Sequence, residues 1–518
     1  MIDTKALRQK ILDMAIRGKL VPQNPNDEPA SVLLERIRAE KQQLIKEGKI
    51  KKDKNDSIIY KGDDNRYYEK VGSEVKDITD ELPFEIPDNW VWTRFSALIQ
   101  IISGVSYDKK DVATKGIRIL RGGNINDLKV SLFSDDVFLP ETYYDPDKQV
   151  QISDVLIVAS TGSKEVIGKA GYVIEPLVNT QIGAFLRIVR PILKWYAPYV
   201  KLIFATEYYR EHIRHLSGGT NINNIKADYI NAFLISLPPY AEQIRIAERI
   251  NSLFEQIDII EQNQTDIDTL YDEFRKRTLT LAIQGKLVPQ DPNDEPASVL
   301  LERIRAEKKV KFGKKYVDSY IYKGDDNCYY EHITGRARDE LVEVPFDIPD
   351  NWTWAKLLDL GGFSSGKTPD MSEPTYWQNG NVQWFTSKDM KTKYLTESQL
   401  KITELAAGDM TLYPANTLLW VVRSGILKSS LPICILKQPA TINQDIKAYQ
   451  LYQSDMIDYV YYMLKGMEAI ILDNYVKRIT TVHSLKFDEL ISKLAIPIPP
   501  LAEQKRIVAK INEVFVML

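Results

Sequence analysis

The chain carries a long internal duplication. Gly18-Lys19-Leu20-Val21-Pro22-Gln23 recurs as Gly285-Lys286-Leu287-Val288-Pro289-Gln290, and the stretch from Glu28 to Lys41 recurs unchanged from Glu295 to Lys308, an offset of 267 residues (285 − 18). Ile86-Pro87-Asp88-Asn89-Trp90 returns at Ile348 to Trp352, and Pro238-Pro239-Tyr240-Ala241-Glu242-Gln243 returns as Pro499-Pro500-Leu501-Ala502-Glu503-Gln504, with offsets of 262 (348 − 86) and 261 (499 − 238). Solenoid repeats run to roughly 20 to 50 residues, so the duplicated object is a whole domain. The copies disagree between Asn89 and Pro238 and between Asn351 and Pro499, stretches of similar length that share little sequence. A shared scaffold with divergent inserts predicts two related readers of different targets.

At 518 residues the chain suits several domains, each able to bury its own core. No apolar run long enough to span a bilayer and no basic-then-apolar N-terminus occurs, which predicts a soluble, unexported protein with no membrane partner. Cys328 and Cys434 are too few for a metal cluster and do not suggest a secreted disulfide framework, so a reducing cytoplasm is the expected location. The net charge of −3 argues against coating nucleic acid through bulk positive charge, because that affinity comes from many phosphate contacts. Basic groups for DNA must then be local, or supplied by partners.

From Ile246 onward, Ile250, Leu253, Ile257, Ile260, Gln264, Ile267, Tyr271, Phe274, Thr278 and Leu281 alternate spacings of three and four, the seam of a coiled coil. A helix from Ala241 to Ile283 would be on the order of 60 Å long, and Gly285 stops it. The second copy of this rod is divided between the chain ends: Ile507, Ile511, Val514 and Leu518 repeat the first half of the seam, and Leu7, Ile11 and Met14 match Phe274, Thr278 and Leu281. The predicted arrangement is a continuous rod packed antiparallel to one assembled from both termini, with a pseudo-twofold axis. Two independent helices of similar periodicity are the plainer alternative. The heptad is still running at Leu518, which fits a shortened or recombined form.

After each Gly-Lys-Leu-Val-Pro-Gln comes a strongly charged helix, near Ser31 to Lys46 and Ser298 to Lys309, and then Tyr60-Lys61-Gly62-Asp63-Asp64-Asn65 or Tyr322-Lys323-Gly324-Asp325-Asp326-Asn327. These segments are expected to be exposed, mobile arms, with the basic run Lys46 to Lys54 a solvated face in preference to a DNA or partner contact. Inside the variable regions, Ile117 to Leu120, Val155 to Val158, Ala184 to Val189, Leu418 to Val422 and Ile433 to Leu436 are short apolar or alternating runs bounded by Gly, Asn and Asp, and predict strands. Helices are expected at Ala197 to Leu216 and Met456 to Leu472.

The order of a Gly-Lys-Leu-Val-Pro-Gln element, a Ser-Val-Leu-Leu-Glu-Arg-Ile helix, Ile-Pro-Asp-Asn-Trp opening a variable domain and Pro-Pro-x-Ala-Glu-Gln opening a long helix, twice over, resembles the specificity (S) subunit of type I restriction-modification systems. The resemblance covers nearly the whole chain. It extends to Ser103-Gly104-Val105-Ser106 and Ser365-Gly366-Lys367-Thr368-Pro369, which look like the first target-recognition loop, and to Ser153-Asp154 and Gly408-Asp409, which stand where that family has a Gly-Asp-hydrophobic element before a strand. It implies an α+β fold with two mixed, mainly β target recognition domains separated by a long antiparallel coiled-coil-like helical spacer. The implied boundaries are 1–20 for the N-terminal half of a spacer helix, 21–85 for a charged arm, 86–239 for the first recognition domain and 240–285 for the central helix. Then follow 286–347 for the second arm, 348–499 for the second recognition domain and 500–518 for the C-terminal helix.

The resemblance also implies the function. Each recognition domain reads one half of a split double-stranded DNA site, and the rods fix the unread gap. Two modification subunits dock on the chain and, with their own S-adenosylmethionine, methylate an adenine in each half; two restriction subunits, using ATP and Mg, complete the complex. The chain itself is then non-catalytic and holds no cofactor or metal. Loop chemistry and the match to the family's loops select Ser106, Tyr107, Arg121, Asn124, Lys164, Asn221 and Asn224 as DNA-contacting candidates in the first domain. In the second they select Lys367, Thr368, Lys388, Arg423, Ser424, Gln444, Lys477 and His483. Arg or Lys on guanine and Asn or Gln on adenine each supply about 1–3 kcal/mol of discrimination. Glu242, Gln243, Glu503 and Gln504 are candidates for docking the modification subunits, or equally for capping the helices they open.

Enzyme readings fit less well. Gly361 to Thr368 matches the phosphate-loop pattern, which needs a helix directly after it; Pro369 follows at once and Pro374 soon after. Leu237-Pro238-Pro239-Tyr240 lacks the polar first residue of an adenine-methyltransferase motif, and Ile498-Pro499-Pro500-Leu501 is apolar at both ends, so both predict helix-opening turns. His212 and His215 lie three apart without a third ligand in view. A stand-alone DNA-binding regulator and a coiled-coil adaptor are the alternatives from other classes, and the adaptor leaves two large divergent domains with polar loops unexplained.

Overall fold

The computed structural model describes residues 1–50, 56–126, 128–216, 223–478 and 482–517. The chain divides into two compact units, Met1–Thr265 and Asp266–Leu518, and the division falls inside one continuous helix, Tyr240–Ile283. Each unit thus holds a complete copy of the repeat together with its own half of that helix.

The first unit begins with the helix Thr4–Ile16, which runs antiparallel to the start of the central helix. The Ile2 amide donates to Gln264 (3.1 Å), Arg8 pairs with Asp258 (2.5 Å) and Glu261 (3.2 Å), and its guanidinium lies 4.9 Å from the Phe254 ring centroid. The second unit repeats this contact: Arg275, equivalent to Arg8, lies 6.0 Å from the ring of Phe515, equivalent to Phe254, on the C-terminal helix Leu501–Met517. Each terminal helix therefore packs on its own unit's part of the central helix. The seam is buried at Ile250, Ile257 and Thr278, but Ile267 (47% exposed), Tyr271 (38%) and Phe274 (52%) face outward. The predicted continuous seam is therefore covered only towards its two ends.

The arms are folded, contrary to the mobile segments expected. Ala30–Lys46 and Ala297–Phe312 are helices whose Leu33, Leu34 and Ile37, or Leu300 and Ile304, enter the main cores. Most of their charge lies on the outer faces, but Lys41, 3% exposed, is buried and donates to the Ser96 carbonyl (3.0 Å). A three-stranded antiparallel sheet follows in each arm, Ser57–Lys61, Tyr67–Val71 and Glu74–Asp77 in the first and Ser319–Lys323, Tyr329–Ile333 and Glu340–Val342 in the second. Alternation puts Ile59 on Trp92 and Ile321 on Trp354 while the other face meets solvent. The basic run at 51–55 lies outside the described residues.

Each recognition domain opens and closes on paired strands. Val91–Arg94 pairs antiparallel with Leu234–Leu237, and Thr353–Lys356 with Ala495–Ile498. Because both ends meet at one stalk, the region between them can diverge without disturbing the base. In the first domain a six-stranded mixed sheet is centred on Leu186–Pro191 and Val155–Val158, and a three-stranded sheet on Ile117–Leu120. In the second, a five-stranded sheet is centred on Ile446–Leu451 and Leu418–Val421, with a three-stranded sheet on Val382–Phe385. The parallel pairs within these sheets make the architecture mixed, as expected. The expected helices are each broken in two, Ala197–Ala205 with Glu207–Leu216 and Ile457–Gly466 with Glu468–Tyr475.

At the foot of each stalk the three repeated motifs converge on one buried carboxylate. Glu242, in the first turn of the central helix, is 0% exposed; it accepts from Trp90 Nε1 (2.9 Å) and Gln23 Nε2 (2.6 Å). Arg245 pairs with Asp27 at 2.6 Å. Glu503, also 0% exposed, accepts from Trp352 Nε1 (2.9 Å) and Gln290 Nε2 (2.6 Å), and Arg506 pairs with Asp294 at 2.6 Å. The repeated motifs recur together because they build one junction.

Of the two roles expected for Glu242, Gln243, Glu503 and Gln504, docking of a partner or capping of their own helices, burial speaks against the first. Glu242, Gln243, Glu503 and Gln504 are at most 4% exposed, and a side chain enclosed by its own unit presents no surface to another subunit. Gln243 Nε2 donates to the Pro238 carbonyl (2.9 Å) and Gln504 Nε2 to that of Pro499 (3.0 Å), tying each helix's first turn back to its opening prolines.

Burial pushes the Glu242 and Glu503 carboxyls above the ordinary range, against the indole and glutamine donors and the charge of Arg245 or Arg506, while Asp27 and Asp294 add to the rise. Such a group keeps its proton longer when folded than when unfolded. Its contribution to stability is therefore greatest below the unfolded carboxyl range and declines as pH rises through the folded value. A Glu242→Gln/Glu503→Gln chain has no such decline, so its urea midpoint relative to the unaltered chain is expected to climb across that window; a difference that stays flat would contradict this assignment.

Candidate nucleic-acid interface

In the second unit the selected residues lie on one connected strip. Its centre is the bend Ile442-Asn443-Gln444-Asp445 between two strands. The Lys367 amide donates to the Ile442 carbonyl (3.0 Å), and Thr368 Oγ1 is hydrogen-bonded to the Gln444 side chain. Gly366 must be glycine at this crossing, because a Cβ there would stand 2.1 Å from the Ile442 oxygen. On one side, the Asn443 amide bonds the Phe385 carbonyl (3.0 Å), next to the turn that carries Lys388. On the other, the Val422 amide bonds the Asp445 carbonyl and the Leu485 amide bonds the Val422 carbonyl, both at 2.9 Å.

Beyond Val422 a small three-stranded sheet gathers the remaining candidates. Arg423 stands opposite Ser484, Ser424 opposite His483 and Lys477 opposite Ser484. Lys367, Thr368, Lys388, Arg423, Gln444 and Lys477 are exposed, and Ser424 and His483 partly so. Lys447, which sequence reasoning did not select, stands in register with Ser365 and hydrogen-bonds it, beside Lys367. Its alternation with Ile446 and Ala448 along one strand was the available signal.

The first unit repeats the strip with different side chains. The Val105 amide donates to the Ile182 carbonyl (2.8 Å), as Lys367 does to Ile442, and Gly104 could carry no Cβ, which would meet the Gly183 oxygen at 2.1 Å. The Gly183 amide bonds the Leu120 carbonyl next to Arg121, and the Phe185 carbonyl accepts from Ala159 (2.8 Å) and Ser160 (3.1 Å). Ser160 pairs with Asn224. Ser106, Arg121, Lys164 and Asn224 are exposed around this strip, Tyr107 packs partly on the Val105, Ile117 and Ile119 cluster, and Phe185 stands 69% exposed at its centre.

One first-domain candidate falls away from the strip. Asn124 is 3% exposed, and its amide is used inside the fold: Oδ1 accepts from the Arg121 amide (2.7 Å), and Nδ2 donates to Asp136 (2.7 Å) and the Ser131 carbonyl (2.9 Å). It shapes the turn behind Arg121 and has no group left for a base edge. Asn221 lies outside the described residues.

The phosphate-loop pattern is not built as a phosphate loop. Gly361–Ser365 is an extended strand paired with Ile446–Leu451, and irregular chain follows where a helix would have to start. Both proline pairs open long helices, as expected. His212 packs on Phe233, ring centroids 4.7 Å apart, and burial holds its pKa below the usual histidine value. One further match needs correcting. Gly408 and Asp409 follow a short helix well before the strand Leu418–Val421, and the residues that stand where Ser153-Asp154 does are Asn416-Thr417. Ser153 (φ 78°) and Asn416 (φ 62°) share the left-handed conformation, and their amides donate to Val173 (2.9 Å) and Leu436 (2.8 Å).

Comparison with known proteins agrees with this duplicated plan. The sequence matches the Methylase_S family, described as the type I restriction modification DNA specificity domain, at residues 87–269 and 349–515, together more than half of the chain. It is 28% identical over 438 residues to the type I restriction enzyme EcoAI specificity subunit of Escherichia coli, covering 75% of this chain and 65% of that one. To the EcoEI specificity subunit of the same species it is 26% identical over 574 residues, covering 99% of this chain and 89% of that one. Among solved structures, one described under complex assembly and conformational transition of the type I R-M system is similar in fold, with a TM-score of 0.52 at 17% identity, covering 84% of this chain and 92% of that one. Among the described residues no helix is long and apolar enough to cross a membrane. The chain belongs to the type I restriction-modification DNA specificity family.

Proposed function

We propose that the chain is the non-catalytic DNA specificity subunit of a cytoplasmic type I restriction-modification complex, its two recognition domains reading the two halves of a split double-stranded site. The observation that carries this is the repeated strip: one backbone crossing, at Val105–Ile182 and Lys367–Ile442, dressed with different polar and basic side chains in the two units. Identical crossings with different loop chemistry are what two readers of unlike sequences require, since base edges are discriminated by side chains on a fixed frame. Modification subunits bring S-adenosylmethionine and methylate an adenine in each half, and restriction subunits bring ATP and Mg. The chain supplies the address and the spacing.

Methylome sequencing of a host carrying this chain with its modification subunit, against a host lacking only this chain, tests the reading. A new split motif with N6-methyladenine in both halves is the expected result. No new motif, with a stable complex confirmed, would leave the reading without support and favour a stand-alone regulator. Arg423→Ala is expected to reduce methylation of sites matching the second half by about tenfold or more, the equivalent of the ~1–3 kcal/mol of one bidentate base contact. Preference should relax at one position of the second half and stay unchanged in the other half; a uniform loss at every site with no change of preference would place Arg423 on phosphate.

A further inference from the structure

We infer that the two buried carboxylates, Glu242 and Glu503, are positioning residues that hold each recognition domain at one angle on its rod, and so help fix the number of base pairs between the half-sites. The inference rests on the split-site reading above and adds a determinant to it. Helix length alone does not fix a gap, because the angle at which each reader stands on its rod also sets where it meets DNA, and that angle is set by the stalk of two short strands together with the reader helices that pack on the rod. One base pair changes the position of a half-site by about 3.4 Å and turns it by roughly 35°. A stalk free to tilt by that much would accept more than one spacing.

The carboxylate stands where such a tilt would turn. Trp90 immediately precedes the first stalk strand and Glu242 belongs to the rod, so the 2.9 Å indole–carboxylate bond joins stalk to rod directly. Gln23, on the loop from the N-terminal helix, holds the second oxygen (2.6 Å) and also donates to the Gly18 carbonyl (3.2 Å). Behind the indole, Gly18 at φ +68° packs under Pro87, where an added Cβ would stand 2.5 Å from the ring. The second junction repeats every one of these contacts through Trp352, Gln290, Gly285 and Pro349. The recognition domains share little sequence, yet their attachments agree in each of these contacts.

The two junctions differ in what reinforces them. In the first, Ser236 on the closing strand donates to the Ile16 carbonyl (2.6 Å), and Tyr199 donates to the Ser236 carbonyl (2.6 Å). In the second, Tyr459 makes the equivalent bond to the Pro497 carbonyl (2.9 Å), but proline at that position has no hydroxyl to reach the adjoining helix. The second domain is tied instead to the C-terminal helix, by Tyr462 donating to Asn512 Oδ1 (2.5 Å), so both domains rely on their carboxylates to a similar degree.

The test is the gap distribution of methylated sites, read by methylome sequencing with the modification subunit present, for the unaltered chain and for Glu242→Ala, Glu503→Ala, Glu503→Gln and Trp352→Phe. Expected are unchanged half-site sequences in all of them, with methylation at sites one base pair longer or shorter rising about tenfold over background in Glu503→Ala and Trp352→Phe, as expected when one buried hydrogen-bonded lock is removed. Glu242→Ala should show a rise of similar size. Glu503→Gln, which keeps an oxygen for the indole, should retain the single gap. General destabilisation would lower methylation at every site and leave the gap alone. If the unaltered chain gives no split motif, the split-site reading falls and this inference with it. If it gives one and both Glu503→Ala and Trp352→Phe keep its single gap, the inference alone is overturned; should Glu503→Ala fail to accumulate, Trp352→Phe decides.

Discussion

Gly18→Ala is expected to destabilise the first unit by about 3 kcal/mol. Gly18 sits at φ +68°, a left-handed conformation that costs a residue with a Cβ roughly 1–2 kcal/mol. The new methyl would stand 2.5 and 2.7 Å from two ring carbons of Pro87 and 3.3 Å from the Trp90 indole, and overpacking of this kind adds about 1–3 kcal/mol. Alanine also narrows the unfolded ensemble, which offsets about 0.4–1 kcal/mol. Gly48→Ala separates the two causes. Gly48 has a similar angle, φ +73°, ends the arm helix and has nothing within 4 Å of the Cβ position, so only the backbone term, about 1 kcal/mol, should remain. Urea unfolding followed by tryptophan fluorescence, with hydrogen exchange to locate the loss, measures both. Equal effects of the two substitutions would mean that the contact with Pro87 contributes nothing.

The duplication was legible because identical letters at a fixed offset need no structure to be seen. The strands Ile117–Leu120, Val155–Val158 and Ile433–Leu436 were legible too, since a short apolar run bounded by turn residues has few other solutions. The junctions were visible as repeated motifs but not as junctions. A glutamate opening a long helix suggests a surface, as charged side chains rarely bury without a partner. The partners of Glu242 are Trp90 and Gln23, 152 and 219 positions away, and no local pattern announces a contact at that separation. Asn124 was misplaced for the same reason, its acceptor Asp136 being set by the turn between them. The arms looked mobile because their charge is conspicuous, whereas the few apolar positions that bury them, Leu33, Leu34 and Ile37, count for little in composition. The strip candidates were selected as loop polar groups, but Arg423, Ser424, Lys477 and His483 stand on short strands, and their gathering was not legible because Arg423 meets Ser484 through a sheet whose strands are far apart in the chain.

Asp154→Ala is expected to cost the first unit about 3 kcal/mol, and Arg190→Gln combined with Asp154→Thr considerably less. Asp154 ends the turn before the strand Val155–Val158, with its side chain 1% exposed. Arg190 meets it with Nε on Oδ1 and Nη2 on Oδ2, both at 2.8 Å, and the Gln151 amide adds a bond at 2.7 Å. Removing one partner of a buried pair leaves the other charge uncompensated, at about 3–5 kcal/mol. The lower figure applies because Arg190 keeps its bond to the Gln149 carbonyl (2.7 Å). In the second unit the strand registers place Thr417 where Asp154 stands and Gln450 where Arg190 stands, so both ionised groups are absent there together. Thr417 is 1% exposed and Gln450 is exposed, so the same sheet closes there with two neutral residues and no ion pair between them. Transplanting that pair removes both charges at once, which avoids the stranded guanidinium. In a double-mutant cycle by urea unfolding, the Asp154→Thr and Arg190→Gln effects should fall short of additivity by about 1–3 kcal/mol. Additive losses would show that the two side chains stabilise the sheet independently, and that their joint replacement in the other copy has no energetic cause.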